Sequence, residues 1–166
     1  MERYIETERL VLVPMTAEYA EDAFEWLSDP EVARFMPYNP YTSVDEVRKW
    51  IESLEENDNE YAFVLKGKAI GAGSVCYSEK KGTYVLGYNM NRAYWGKGYA
   101  TEASKGMLKW AQEQLGATSF IADHAIDNPA SGRVLEKCGF TFVGYGSYSK
   151  LDRSKQFEAK VYELRQ

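Results

Sequence analysis

Two glycines, Gly96 and Gly98, stand between an apolar alternating run, Thr83 to Met90, and an amphipathic run that begins at Tyr99. Glycine lets a backbone pass close to a bulky anion. A helix starting there offers its unpaired first-turn N–H groups and the positive end of its dipole. The stretch Tyr94-Trp95-Gly96-Lys97-Gly98-Tyr99-Ala100-Thr101-Glu102-Ala103 therefore reads as a phosphate cradle that needs no cationic side chain. It lacks the third glycine of a dinucleotide fingerprint and the Lys-Ser/Thr of a P-loop, which argues against the commoner nucleotide-binding classes. About thirty residues on comes a second segment, Asn128-Pro129-Ala130-Ser131-Gly132-Arg133-Val134-Leu135-Glu136-Lys137-Cys138-Gly139-Phe140. Between the two lies His124, the only histidine, whose ordinary pKa near ~6.5 suits a general base.

Together these segments resemble the GNAT superfamily of acyl-CoA-dependent N-acetyltransferases, whose pyrophosphate loop reads Arg/Gln-x-x-Gly-x-Gly/Ala. Thr7-Glu8-Arg9-Leu10-Val11-Leu12-Val13-Pro14 and Ser28-Asp29-Pro30-Glu31-Val32 look like the opening of its RimJ/RimL-type branch. The resemblance runs from about residue 5 to the last strand. Ala93 departs from it at the Arg/Gln position, with Arg92 beside it. What the resemblance implies is a single domain over residues 1–166, acetyl-CoA as co-substrate, and transfer of its acetyl group to a primary amine through a ternary complex. The acceptor would be a protein N-terminus, a polyamine or amino-sugar, or a small metabolite. A non-catalytic module that binds or senses acyl-CoA is the alternative.

The resemblance also distributes roles. Tyr88, Asn89 and Met90 would form the strand edge that pairs with pantetheine by strand addition. Trp95, Gly96, Lys97, Gly98, Tyr99 and Ala100 would surround the pyrophosphate, with Lys97, Arg133 and Lys137 flanking the phosphate end. The backbone N–H near Met90 would stabilise the oxyanion. Many relatives carry a proton-donating tyrosine where this chain has Leu135, whereas the RimJ/RimL branch places a serine where Ser131 stands. Ser131 reads either as that donor or as an ordinary first-turn serine. Asn128 reads as a helix cap, with or without a pantetheine contact. Relatives often put a glutamate before the Leu-Gly-Tyr of the strand, where Val85 stands here. That leaves three routes for the amine proton: His124, a water chain, or binding of the already neutral amine. Asp123 points to the face opposite His124, so the two form no dyad in a regular strand.

The elements that must hold these residues follow from periodicity and punctuation. Strands are predicted over Leu10 to Val13, Tyr61 to Lys66, Ala69 to Tyr77, Thr83 to Met90, Phe120 to Ile126, Phe140 to Tyr145 and Phe157 to Leu164. Helices are predicted over Ala17 to Leu27 with Thr16 as cap, after the capping box Ser43-Val44-Asp45-Glu46, over Tyr99 to Leu115 with Gly116 as stop, and from Asn128-Pro129 to Gly139. Hairpins on one side and a strand–helix–strand crossover on the other give a mixed α/β sheet of about six or seven strands, with helices on both faces. In the family that the chain resembles, the two parallel central strands splay apart.

Composition agrees. The chain has 166 residues, 45% of them apolar and 14% aromatic, enough for one well-packed domain. A net charge of −5 argues against nucleic-acid binding. Cys76 and Cys138 read as packed small hydrophobes. With no signal core and no long apolar run, a cytoplasmic protein without membrane or metal partners is expected, as a monomer or homodimer.

Overall fold

The computed structural model describes residues 1–166. In chain order the strands are β1 (Ile5–Glu6), β2 (Val11–Pro14), β3 (Glu60–Leu65), β4 (Lys68–Tyr77), β5 (Thr83–Met90), β6 (Ser119–Ala125), β7 (Thr141–Ser149) and β8 (Gln156–Arg165). The helices are α1 (Ala20–Leu27), α2 (Pro30–Ala33), α3 (Val44–Ser53), α4 (Tyr99–Leu115) and α5 (Pro129–Lys137). All eight strands join one sheet in the order β1-β2-β3-β4-β5-β6-β8-β7. Every neighbouring pair is antiparallel except β5 with β6, the pair that α4 bridges.

Alternation along the strands assigns the two faces. Phe63 of β3, Leu86 and Met90 of β5, and Phe120 and Ala122 of β6 are buried with Met107 of α4 and Leu135 of α5. The opposite face buries Ala62 of β3 and Ala72 of β4 against Trp26 of α1 and Val47 of α3. The sheet is thus covered by α4 and α5 on one side and by α1 and α3 on the other. No helix is long and apolar enough to cross a membrane.

The sequence expectation of six or seven strands falls short by β1, whose Ile5 pairs with Leu12. A two-residue strand carries no periodicity to read. Thr16 does not cap a helix over Ala17 to Leu27. Residues Ala17–Tyr19 form a 3-10 turn, and the Thr16 hydroxyl meets the Glu18 carboxylate instead. Ser28-Asp29-Pro30 ends α1 as expected but also starts the unforeseen α2, where the Asp29 side chain accepts from the Glu31 N–H. At α3 Ser43 accepts from the Glu46 N–H, while the Glu46 carboxylate returns to Thr42 rather than to Ser43.

Candidate active site

The site begins where the parallel ladder fails. β5 and β6 pair at Thr83↔Ser119, Tyr84↔Phe120 and Val85↔Ile121 and no further, although β5 continues to Met90 and β6 to Ala125. On its other edge β5 stays paired with β4 as far as Met90. The Asn91 N–H donates to the Ile70 carbonyl at 2.8 Å, and alternation then turns the backbone of Tyr88 and Met90 away from β4 and into the gap. The Met90 carbonyl accepts the Trp95 indole N–H at 2.8 Å. The free groups in the gap are therefore the Met90 N–H and both backbone groups of Tyr88. Asn89 corrects the sequence reading of this edge, because its backbone faces Ala72 of β4.

Below the gap the chain makes a 3-10 turn, Arg92–Tyr94, and then the glycine loop. Gly96 has φ 76° and Gly98 φ 81°, so both adopt the left-handed region that side chains avoid. The glycines are required by the path of the backbone itself, in addition to any anion that the loop receives. The first helical bond of α4 runs from the Glu102 N–H to the Gly98 carbonyl. The N–H groups of Tyr99, Ala100 and Thr101 precede it and remain available at the positive end of a 17-residue helix. Trp95, Gly96, Lys97 and Gly98 are all exposed.

Across the gap, α5 brings Ser131 to β5. The hydroxyls of Tyr88 and Ser131 lie 2.9 Å apart. Burial pushes the Tyr88 phenol up to about 12, opposed by its hydrogen bond with Ser131, so it is protonated at any physiological pH. A free strand edge, a hydroxyl pair beside it and a row of helix-end amides below fit a thioester joined to a diphosphate.

The acetyltransferase (GNAT) domain family matches residues 9–141 of this chain. The N-acetyltransferase p20 of Bacillus licheniformis is 31% identical over 146 residues, 83% of this chain and 82% of that one. The crystal structure of a GNAT-family acetyltransferase from Bacillus anthracis aligns with a TM-score of 0.87 at 23% identity over 98% of both chains. The microcin C7 self-immunity acetyltransferase MccE, solved with acetyl-CoA and AMP, aligns with a TM-score of 0.83 at 19% identity over 96% of this chain and 93% of that one. The chain belongs to the GNAT acetyltransferase family. It is an acetyl-CoA-dependent N-acetyltransferase.

In this GNAT enzyme, residues far away in sequence stiffen the cradle. Glu102 in the first turn of α4 accepts from the Thr7 hydroxyl (2.6 Å), the Arg9 N–H (2.7 Å) and the Arg9 Nε (2.7 Å). Burial works to raise the Glu102 carboxyl, but these bonds outweigh it and hold the group below the ordinary range. Arg9 also donates from Nη1 to the Lys97 carbonyl at 2.9 Å and lies 4.2 Å over the Tyr99 ring. A Cβ added at Gly98 would stand 3.3 Å from the Arg9 guanidinium. Arg9 thus fixes the loop between the two glycines. Arg9→Ala is expected to raise the KM for acetyl-CoA roughly 10-fold, the scale of one lost charge-assisted hydrogen bond of about 1.5 kcal/mol. Turnover at saturating acetyl-CoA should stay within about two-fold, because no reacting atom is touched. Titration of KM and kcat on the folded variant separates the two, and an equal fall in kcat would refute a purely positioning role.

The other sequence-predicted residues fall into two groups. Arg133 and Lys137 are exposed on α5, and Lys97 lies with its ammonium 5.9 Å from the centre of the Tyr94 ring. Asn128 does not cap: its side chain accepts no first-turn N–H, and Pro129 at the first helical position starts α5 instead. His124 is buried beneath α5. Its Nδ1 lies 2.7 Å from the Ala125 carbonyl and its Nε2 3.4 Å from the Tyr162 hydroxyl. A Cβ at Gly132 would come within 2.7 Å of Nε2, so α5 rests directly on the imidazole.

The face covered by α1 holds contacts that the sequence reading did not foresee. Asn89 accepts from the Trp26 indole at 2.9 Å and donates to the Tyr38 hydroxyl at 3.2 Å, which anchors the loop before α3 over β5. The tail of β7 and the turn after it hold that loop from the other side. The Tyr148 hydroxyl donates to the Phe35 carbonyl, and the Lys150 ammonium donates to the carbonyls of Ala33 and Tyr38. Glu60 and Asp123 look onto the same face. Strand alternation was the available signal for Asp123, whereas nothing local distinguishes Glu60.

Proposed function

We propose that this enzyme is of the RimJ/RimL type and moves the acetyl group directly to a primary amine held on the α1 side of the sheet. The observation that carries this reading is the free edge of β5 beyond Val85, beside the paired hydroxyls of Tyr88 and Ser131. In this reading Tyr88 and Met90 pair with the pantetheine amides, and Asn128 contributes its uncommitted side chain. The N–H groups of Tyr99 and Ala100, with the loop from Trp95 to Gly98, hold the pyrophosphate, and Lys97, Arg133 and Lys137 flank the outer phosphates. The Met90 N–H stabilises the charge that develops on the carbonyl oxygen, where a preorganised donor is worth most.

Ser131, backed by Tyr88, hydrogen-bonds the departing sulfur. An ordinary thiol has a pKa near ~8.5, well below a phenol near 12. Full proton transfer from Tyr88 is therefore uphill whether direct or through Ser131, and the pair acts as a relay only in concert with the amine. Ser131 gives its proton to sulfur, Tyr88 replaces it, and the proton shed by the new amide nitrogen replaces that of Tyr88 in the same step, so that no phenolate is left. His124, packed under α5 on the other face, is assigned a structural role, and the amine binds neutral or loses its proton on the acceptor side.

Thiol release from acetyl-CoA against peptide N-termini, amino-sugars, linear polyamines and small amino-acid-like amines tests the reading. Release with at least one class, saturable in both substrates by intersecting initial-rate lines, is expected. Parallel lines would instead indicate an acetyl-enzyme, and tight CoA binding with no release would make the chain a sensor.

A further inference from the structure

Four residues form one transverse row on the face covered by α1. Glu60 of β3 stands opposite Ser74 of β4, and Ser74 opposite Gly87 of β5. Continuing the parallel register from Val85↔Ile121 by two residues brings Gly87 level with Asp123 of β6, just past the point where the strands part. Alternation sends all four to the same side, because Tyr61, Phe63, Leu86 and Ala122 belong to the core under α4 and α5. A Cβ at Gly87 would meet nothing within 4 Å, so the middle of the row is open floor. Tyr38 and Tyr41, in edge contact at 5.7 Å, stand on the Glu60 side, and Tyr148 with Phe35 stands on the Asp123 side.

Neither carboxylate at the ends of this row joins any of the ion pairs of the protein. Lys150, beside the loop that carries Tyr38, is occupied by two carbonyls, and His124 lies on the other face. Burial pushes the Glu60 carboxyl up to about 7, opposed by Ser74 and aided by Asp58. Asp123 is exposed on the same face, and desolvation by its surroundings raises its carboxyl, opposed by His124. Two carboxylates without an ion-pair partner, at the ends of a row flanked by aromatic rings, are each stabilised by an incoming cation.

We propose that the acceptor is a small linear diamine or longer oligoamine, its reacting amine held at Asp123 beside the gap and its second ammonium held at Glu60. The proposal rests on the amine-acetylation reading above and narrows its acceptor to one class. Three strand spacings of ~4.8 Å, the splay and a hydrogen bond at each end leave roughly 8–11 Å between the two nitrogens. That suits a chain of about six to eight atoms between them and excludes a compact amino acid from bridging.

The test is thiol release with α,ω-diamines of increasing length, alkyl monoamines of matched length and peptide N-termini, in the unaltered enzyme and in Glu60→Gln and Asp123→Asn. The kcat/KM of the best diamine should exceed that of its matched monoamine roughly 10- to 100-fold, the scale of one partly desolvated ion pair. Glu60→Gln should bring that ratio close to one, chiefly through KM. Asp123→Asn should lower kcat/KM for diamine and monoamine together. Glu60→Gln should also melt at a higher temperature than the parent above neutral pH. A folded-state pKa near 7 against an unfolded value near ~4.3 means that Glu60 loses stability for the fold as pH rises between them, a loss the glutamine does not share. A flat length profile, or an unchanged ratio in a folded Glu60→Gln enzyme, overturns the proposal. If peptide N-termini turn over and diamines do not, the acceptor class is wrong while amine acetylation stands. If no amine releases thiol, both fall.

Discussion

Gly98→Val is expected to weaken acetyl-CoA binding by two orders of magnitude or more while the sheet remains folded. Gly98 opens α4 at φ 81°, a conformation that costs a side-chain-bearing residue about 1–3 kcal/mol. A β-branched residue sits at the unfavourable end of that range. The added Cβ also meets the Arg9 guanidinium at 3.3 Å, the group that holds the Lys97 carbonyl and the Glu102 carboxylate. Relief of that strain has one direction open, because the residue is exposed: the loop shifts outward and takes the Tyr99 and Ala100 amides out of register with the diphosphate. Losing two amide bonds to a charged group, at about 1.5–3 kcal/mol each, exceeds the strain itself. Calorimetry with CoA reads the effect, and far-ultraviolet circular dichroism shows whether the fold survives. A folded variant with parental affinity would remove the cradle from the proposed site.

The second large effect is expected at the hydroxyl pair. Ser131→Ala should lower kcat on the order of 10- to 100-fold with little change in the acetyl-CoA dissociation constant, as befits a group used as the thiolate leaves. Tyr88→Phe removes the other hydroxyl, 2.9 Å away, and should give a loss of similar size. If the two act as one relay, the double variant should be hardly worse than either single one, whereas independent contributions would multiply. A fully multiplicative double variant would break the relay, and an unaltered kcat in Ser131→Ala would return Ser131 to a first-turn serine.

Local punctuation made the scaffold legible. Thr83–Met90 and Tyr99–Leu115 occur in the structure with the bounds that the sequence predicts, because alternation ends at one and Gly98 and Gly116 bracket the other. Lys66 and Gly67, both at positive φ, make the hairpin turn foreseen at Gly67. Each of these signals lies within a few residues, where backbone geometry and side-chain period are decided. The glycine loop belongs to the same class, which is why its two left-handed turns and the start of α4 could be read from the chain.

The residue pairs proposed for the catalytic and acceptor ends could not be read in this way, since their partners are far apart in the chain. Tyr88 and Ser131 are 43 residues apart, and Arg9 and Glu102 are 93. Whether Tyr88 faces Ser131 or solvent depends on which side of β5 α5 packs. The burial of His124 under Gly132 follows from the same choice. The row from Glu60 to Asp123 exists only because four strands align in one register, and a slip by one residue would send any member to the opposite face. Composition and spacing thus determined the order of elements and the two glycine turns that lead into α4. Register and layer packing, set by long-range burial, decided that the Tyr88 and Ser131 hydroxyls meet and that Glu60 and Asp123 face the same side of the sheet.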